Sequence, residues 1–288
     1  MTTRRDEMLQ EMGLTPVWRL RAERLETSAP AVENTTLSEV AADALPVTPH
    51  SLPDLSPDSS LVARHSSSAS SPIPSPGTRH ASAEQGERRV AIMRMDWPAL
   101  KAAVAACRDC ALHARRNKTV FGVGDENADW MFVGEGPGAD EDAQGDPFVG
   151  QAGKLLDNML AAVKLKRGHD VYICNVVKCR PPGNRNPEPD EALKCEPYLQ
   201  RQIELVKPRL IVALGRVAAL NLLSREASIA SLRGKVLEYN GTPLIVTYHP
   251  AYLLRNLPDK SKAWEDLCFA VKTMDALRSK DGAPTYTS

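Results

Sequence analysis

The sequence predicts an α/β protein: three layers, α/β/α, around a central parallel-rich sheet, preceded by a disordered N-terminal arm. Three observations predict it. Short apolar runs rich in β-branched residues recur at 130–134 (WMFVG), 171–177 (VYICNVV), 210–214 (LIVAL) and 244–248 (LIVTY). Stretches with helical spacing of apolar residues alternate with them, the pattern of a sheet buried on both faces. Finally, residues 1–88 hold 8 Lys/Arg against 12 Asp/Glu, while residues 89–288 hold 28 against 24, so an acidic arm leads a mildly basic body.

Within the arm, Met8, Met12, Leu14, Val17, Trp18 and Leu20 are too apolar for a plain tail, and residues 1–26 read as a short docking segment for a protein partner. Residues 27–88 contain 13 serines and 8 prolines in 62 residues with no Phe, Trp or Tyr. Such a stretch has little apolar surface to offset the entropy of ordering, and it reads as a disordered linker. A single domain is expected over 89–288. Its elements follow in order: a helix at 93–106, the strand 130–134 closed by glycine, and a helix at 151–163 through Leu155, Leu156, Met159 and Leu160. Next come strand 171–177, helix 189–206, strand 210–214, helix 216–223, strand 244–248 and a closing helix at 262–277. Ligands of such sheets sit beyond the carboxyl ends of the strands. Function is therefore expected after Gly134, Val177 and Tyr248.

Hydrophobic residues at 42% and charged ones at 25% suit a globular chain. No apolar run approaches the roughly 20 residues of a membrane span. The N-terminus MTTRRDEMLQEMG has no apolar stretch behind its arginines, unlike a secretory signal. The chain is expected to be a cytoplasmic monomer, associated with the nucleoid if bacterial.

Six cysteines in a cytosolic chain point to metal or redox chemistry rather than disulfides. Cys107 and Cys110 form a CxxC among Arg108, Asp109, His113, Arg115 and Arg116, poor company for a core. With Cys179 and Cys195 they offer four thiolates from three elements. Zinc is one candidate, although zinc ribbons use two tight knuckles; a cubane cluster tolerates scattered ligands better. Cys174 and Cys268 sit in apolar runs and read as core.

The first strand end continues as GEGPGADED and then GDPFVG. Glycines permit close backbone approach to a ligand, and carboxylates in the same loop suit activation of water. Phe148 reads as a flat stacking surface. After the second strand, NVVKCRPPGNRNP places Asn175 among Val, Ile and Tyr, either as a satisfied buried amide or as a ligand reader. After the last, YHPAYLLR supplies His249, structural or catalytic. GEGPGADED lacks the Lys and Ser/Thr of a P-loop, which excludes a nucleotide hydrolase of that kind.

Together, GEGPGADED with PFVG, NVVKCRPPGNRNP, HPAYLLR and the CxxC, C, C cysteines resemble the family 4 uracil-DNA glycosylases, the iron–sulfur branch of that superfamily. The resemblance spans residues 98–279. It implies an enzyme that flips deoxyuridine out of DNA, hydrolyses its N-glycosidic bond and initiates base excision repair, with a [4Fe-4S] cluster on Cys107, Cys110, Cys179 and Cys195. His249 would donate to uracil O2, Asn175 would read the O4 and N3 edge, and Phe148 would stack on the base. Glu135, Gly136 and Pro137 would line the pocket, with Glu141 or Glu135 orienting water. Leu253, Leu254 and Arg255 would enter the duplex, and Lys178, Arg180 and Arg185 would contact phosphates. A covalently trapping relative carries a KRRIH-like insertion; this chain runs from Cys179 through RPPGNRNPEPDEALK to Cys195 without it, which implies ordinary turnover. The competing class is a cluster-bearing nucleic-acid binder or redox protein without turnover, against which the presence of Asn175, His249 and the loop carboxylates argues.

Overall fold

The computed structural model describes residues 76–280. The docking segment expected at 1–26, and the linker up to residue 75, lie outside the described residues. The linker's expected end does not hold. Helix α1 (Pro76–Met93) runs through the boundary placed after residue 88. The reason is local. Prolines stop at Pro76, and the last turns of α1 have a surface to dock on. Arg88 Nε pairs with Asp109 at 2.7 Å, Arg88 stacks over the Tyr198 ring at 5.0 Å, and Arg89 pairs with Glu196 at 3.0 Å. Ile92 is 2% exposed. The helix expected from residue 93 starts later, as α2 (Trp97–Ala106), because Asp96 caps it by accepting from Ala99 N at 3.0 Å and Pro98 occupies its first turn.

Among the described residues six strands form one mixed sheet in the order β1-β3-β2-β4-β6-β5. The four central strands, β3 (Val171–Asn175), β2 (Trp130–Gly134), β4 (Leu210–Leu214) and β6 (Thr242–Thr247), are mutually parallel. Two short antiparallel edges, β1 (Val123–Gly124) and β5 (Leu237–Tyr239), were not anticipated. Strand alternation feeds two cores. Trp130, Phe132, Ile173, Val212 and Ile245 pack against α4 (Gln151–Ala162) and α9 (Lys260–Lys280) through Leu156, Met159, Leu267 and Met274. Met131, Val133, Cys174, Ile211 and Val246 face the other way, onto Leu199 and Ile203 of α5 (Pro189–Val206), Ala218 and Leu222 of α6 (Arg216–Leu223) and Leu232 of the short α7 (Ile229–Leu232). Helices on both faces complete the three layers. Cys174 is core, whereas Cys268 is only half-buried. Among the described residues no helix is long and apolar enough to cross a membrane.

The chain runs from β2 to β3 on one side and returns to β4 on the other. A crevice therefore opens beyond the carboxyl ends of the central strands, where the order reverses.

Candidate active site

The segments after all four parallel strands line one cleft of about 640 Å³. Glu135, Gly136 and Pro137 come from the β2 end, Asn175 from the β3 end, Gly215 and Arg216 from the β4 end, and Tyr248 and His249 from the β6 end. The β4 contribution was missed from sequence. Gly215 has φ 93°, and a β-carbon there would lie 2.8 Å from His249 Cβ, so glycine is what lets the histidine approach.

Asn175 is 1% exposed and its Oδ1 has no hydrogen-bond partner. A buried amide oxygen left unpaired costs on the order of 1–3 kcal/mol, which a ligand donor would recover. Phe148 lies beside it: a β-carbon on Gly134 would collide with both Asn175 Oδ1 and the Phe148 ring. The Phe148 ring is also 5.6 Å from the His249 ring, tilted by 32°. Phe148 is more buried than a free stacking platform, at 6% exposure, with the inner side of its environment in the first core.

Phe148 holds φ 57°, in the left-handed region that a bulky residue avoids. Arg167, which no motif marks, clamps it. Its two Nη groups donate to the carbonyls of Pro147 and Phe148, both at 2.8 Å, while Nε donates to Asp157 at 3.0 Å. Gly153 completes the clamp, since any side chain there would strike the Phe148 carbonyl. Arg167→Ala should release this turn, lowering stability by about 1–2 kcal/mol, the worth of two charge-assisted hydrogen bonds on a quarter-exposed side chain. It should weaken substrate binding more than turnover. Thermal unfolding with saturation kinetics checks both.

His249 is the N-cap of α8 (Pro250–Arg255), its Nδ1 accepting from Ala251 N at 3.1 Å. An accepting Nδ1 puts the proton of the neutral ring on Nε2, which is left to donate. Burial, and secondarily Arg255, hold this imidazole down at about 4, so it is neutral at pH 7.

The two candidate carboxylates separate clearly. Glu141 Oε1 accepts from Val149 N at 2.9 Å and Gly150 N at 3.1 Å, and Oε2 accepts from Gly138 N at 3.0 Å. Both oxygens brace the loop around α3 (Ala139–Gln144), a short helix inside the acidic run. The Glu135 carboxylate makes no hydrogen bond or ion pair among the described residues; the residue lines the cleft, and burial pushes its carboxyl above the ordinary value.

Several residues expected at a phosphate backbone or in a duplex are placed otherwise. Lys178 is 1% exposed, with its ammonium on the Asn175 carbonyl and Gln202, so it reaches no phosphate. Arg185 makes a two-pronged bridge to Glu191, both contacts at 2.8 Å, which neutralises it and fixes the loop before α5. Arg180 is half-buried and donates to Asn184 at 2.7 Å. Leu253 is 0% exposed, facing the core, because α8 is helical and turns one of three successive residues inward. Leu254 at 42% and Arg255 remain exposed. Leu257, 60% exposed just beyond, went unremarked in the sequence.

Cys107, Cys110, Cys179 and Cys195 line one small hollow. They come from the end of α2, the turn after it, the segment that follows β3 and the body of α5. Among the described residues no three His, Cys, Asp or Glu gather tightly enough for one metal ion. The four thiols share this hollow with Asp109, His113 and Arg116. N–H groups already point at the sulfurs: Arg116 Nη1 at 3.0 Å from Cys179 Sγ, and Lys178 N at 3.4 Å from Cys195 Sγ. Burial pushes the Cys110 and Cys179 thiols up, and Cys195 up to about 12.

A family model described as the uracil DNA glycosylase superfamily matches residues 121–268. A type-4 uracil-DNA glycosylase of Archaeoglobus fulgidus is 50% identical over 159 residues, covering 52% of this chain and 79% of the relative. That of Thermotoga maritima is 47% identical over 155 residues, 53% of this chain and 80% of the relative. That of Saccharolobus solfataricus is 44% identical over 185 residues, 62% and 84%.

Proposed function

The chain belongs to the uracil DNA glycosylase superfamily, in its type-4 branch, and from that membership we infer that it excises uracil from DNA, leaving an abasic site that opens base excision repair. The observation that carries the reading is the unpaired, buried Asn175 Oδ1 in a cleft shared with the Phe148 and His249 rings. A flat base with one donor edge fits there. Asn175 reads that edge, its oxygen taking the N3 proton and its amide giving to O4, a pattern cytosine inverts. Phe148, clamped by Arg167, supports the ring. Breaking the glycosidic bond leaves an electron-poor sugar and an anionic base. His249, neutral with its proton on Nε2, donates to the base oxygen as that charge grows. Glu135, the carboxylate free of other bonds, holds the water that attacks C1′; Glu141 keeps the loop in shape. Leu254, Leu257 and Arg255 fill the duplex where the base leaves.

The four cysteines would hold a [4Fe-4S] cluster, which when bound supplies a cross-link among α2, β3 and α5. A brown preparation with about four irons per chain is expected. Stoichiometric zinc without iron would remove the cluster.

The activity test is release of uracil, and an alkali-labile site, from a uracil-containing oligonucleotide; an unchanged strand would overturn the reading. Acid should act through Glu135. Its raised pKa means the rate falls, by about tenfold per pH unit, from a pH above the ordinary carboxylate value of 4.5. His249, already neutral, adds no inflection near 6.5. A kcat/KM profile of the wild type and of Glu135→Gln checks both: the acid limb should vanish in the variant.

A further inference from the structure

Lys178 is among the most buried side chains of the protein, at 1% exposure, and it stands between the two centres described above. On one side its Nζ donates to the backbone carbonyl of Asn175 at 2.7 Å. On the other its backbone N–H meets Cys195 Sγ at 3.4 Å, and the residue forms part of the wall of the four-cysteine hollow. The second acceptor of Nζ is Gln202 Oε1, at 2.6 Å. Gln202 is itself 0% exposed and immobilised, with Nε2 on the Phe121 carbonyl at 2.9 Å and Tyr172 Oη at 3.2 Å.

Every oxygen that receives this ammonium is therefore neutral. Among the described residues no carboxylate pairs with it, although other cations there meet carboxylates in the ordinary way, Arg185 on Glu191 and Arg233 on Asp266 among them. A buried charge with no counter-charge is expensive, and the interior normally supplies one. The groups of opposite sign available at this place are the cysteine sulfurs once they ligate a metal centre as thiolates.

We propose that Lys178 is a positioning residue that balances the charge of the thiolate-bound centre and, with the same ammonium, fixes the peptide from which Asn175 reads the base. The proposal rests on the function inferred above. It gives the centre a route to substrate recognition that is one side chain long: cysteine sulfurs, Lys178, Asn175 carbonyl, Asn175 amide. It also explains why a lysine, rather than an apolar residue of equal length, stands buried next to Cys179.

The test uses the full chain, purified without oxygen, and two variants. Lys178→Met keeps the length and removes both the charge and the donors. Gln202→Met leaves the charge but removes one of its two anchors. Folding is followed by thermal unfolding, iron retention by the decay of visible absorbance with an excess of an Fe(II) chelator, and recognition by single-turnover excision as a function of enzyme concentration. Lys178→Met should lose iron about tenfold faster, and its half-saturating concentration should rise about tenfold while its maximal rate changes less. Gln202→Met should move both quantities in the same direction, about threefold. A folded Lys178→Met with wild-type iron loss and half-saturation overturns the proposal. Should Lys178→Met not fold, unchanged values in Gln202→Met overturn it equally. A wild-type chain that binds no iron, or releases no uracil, fails the underlying reading instead, and the wild type alone reports that.

Discussion

His249→Ala should excise uracil about 10²- to 10³-fold more slowly than the wild type in the chemical step, with DNA binding retained. The size follows from what the side chain does late in the reaction: a donor aimed at an oxygen that gains charge is worth most in the transition state, and losing one typically costs about 3–4 kcal/mol. The structure adds a complication, because the same ring caps α8 through Nδ1. Alanine removes cap and donor together, and a lost cap costs about 1 kcal/mol of stability. His249→Asn separates them. Its side-chain oxygen can cap Ala251 N, but it cannot place a donor where Nε2 stands. If the histidine acts on the base, His249→Asn recovers melting temperature and not rate. Recovery of rate along with stability would make His249 a helix cap and nothing more.

Asn175→Asp should reduce uracil excision by about 10- to 100-fold and make cytosine less strongly excluded, the worth of one two-point contact to a base edge. The carboxylate replaces the amide donor by an acceptor, repelling uracil O4 while accepting from a cytosine amino group. The position is 1% exposed, so the new carboxyl would resist ionisation, and a protonated carboxyl donates again. The uracil defect should therefore deepen as pH rises. Single-turnover rates on U·G and C·G duplexes at several pH values measure it. A variant as fast as the wild type on uracil throughout that range would take Asn175 out of recognition.

The four parallel strands are legible because a strand covered on both faces must be apolar at every position, as LIVAL and WMFVG are. Edges β1 and β5, two and three residues long, leave no such imprint. Helix α3 hides for a different reason. Asp140, Glu141 and Asp142 look like loop residues, yet acidic groups in a first turn favour a helix, and Gly138 and Gly145 close it at both ends. The cleft residues at the ends of β2, β3 and β6 can be found from sequence because topology fixes where strand ends point; Gly215 and Arg216 at the β4 end carry no motif and go unread. What surrounds them cannot. Lys178 reads as a surface cation since lysine usually is one, and only the fold brings Gln202 from 24 residues away to receive it. Arg167 belongs to a turn with no motif, and its partners at 147 and 148 are backbone carbonyls that any sequence would offer. Leu253 and Leu254 differ only by helical phase, which appears once residues 250–255 are known to be helical.

The convergence of four strand ends on one cleft also bears on when the protein becomes active during its synthesis. A chain emerging from its N-terminus carries Glu135, Phe148 and Asn175 well before it carries His249. The strand that delivers His249, β6, is held in place by pairing with β4. Until that pairing forms, the growing polypeptide carries three of the residues of the cleft and lacks the wall that holds His249. The cleft is therefore complete only once the last parallel strand has joined the sheet.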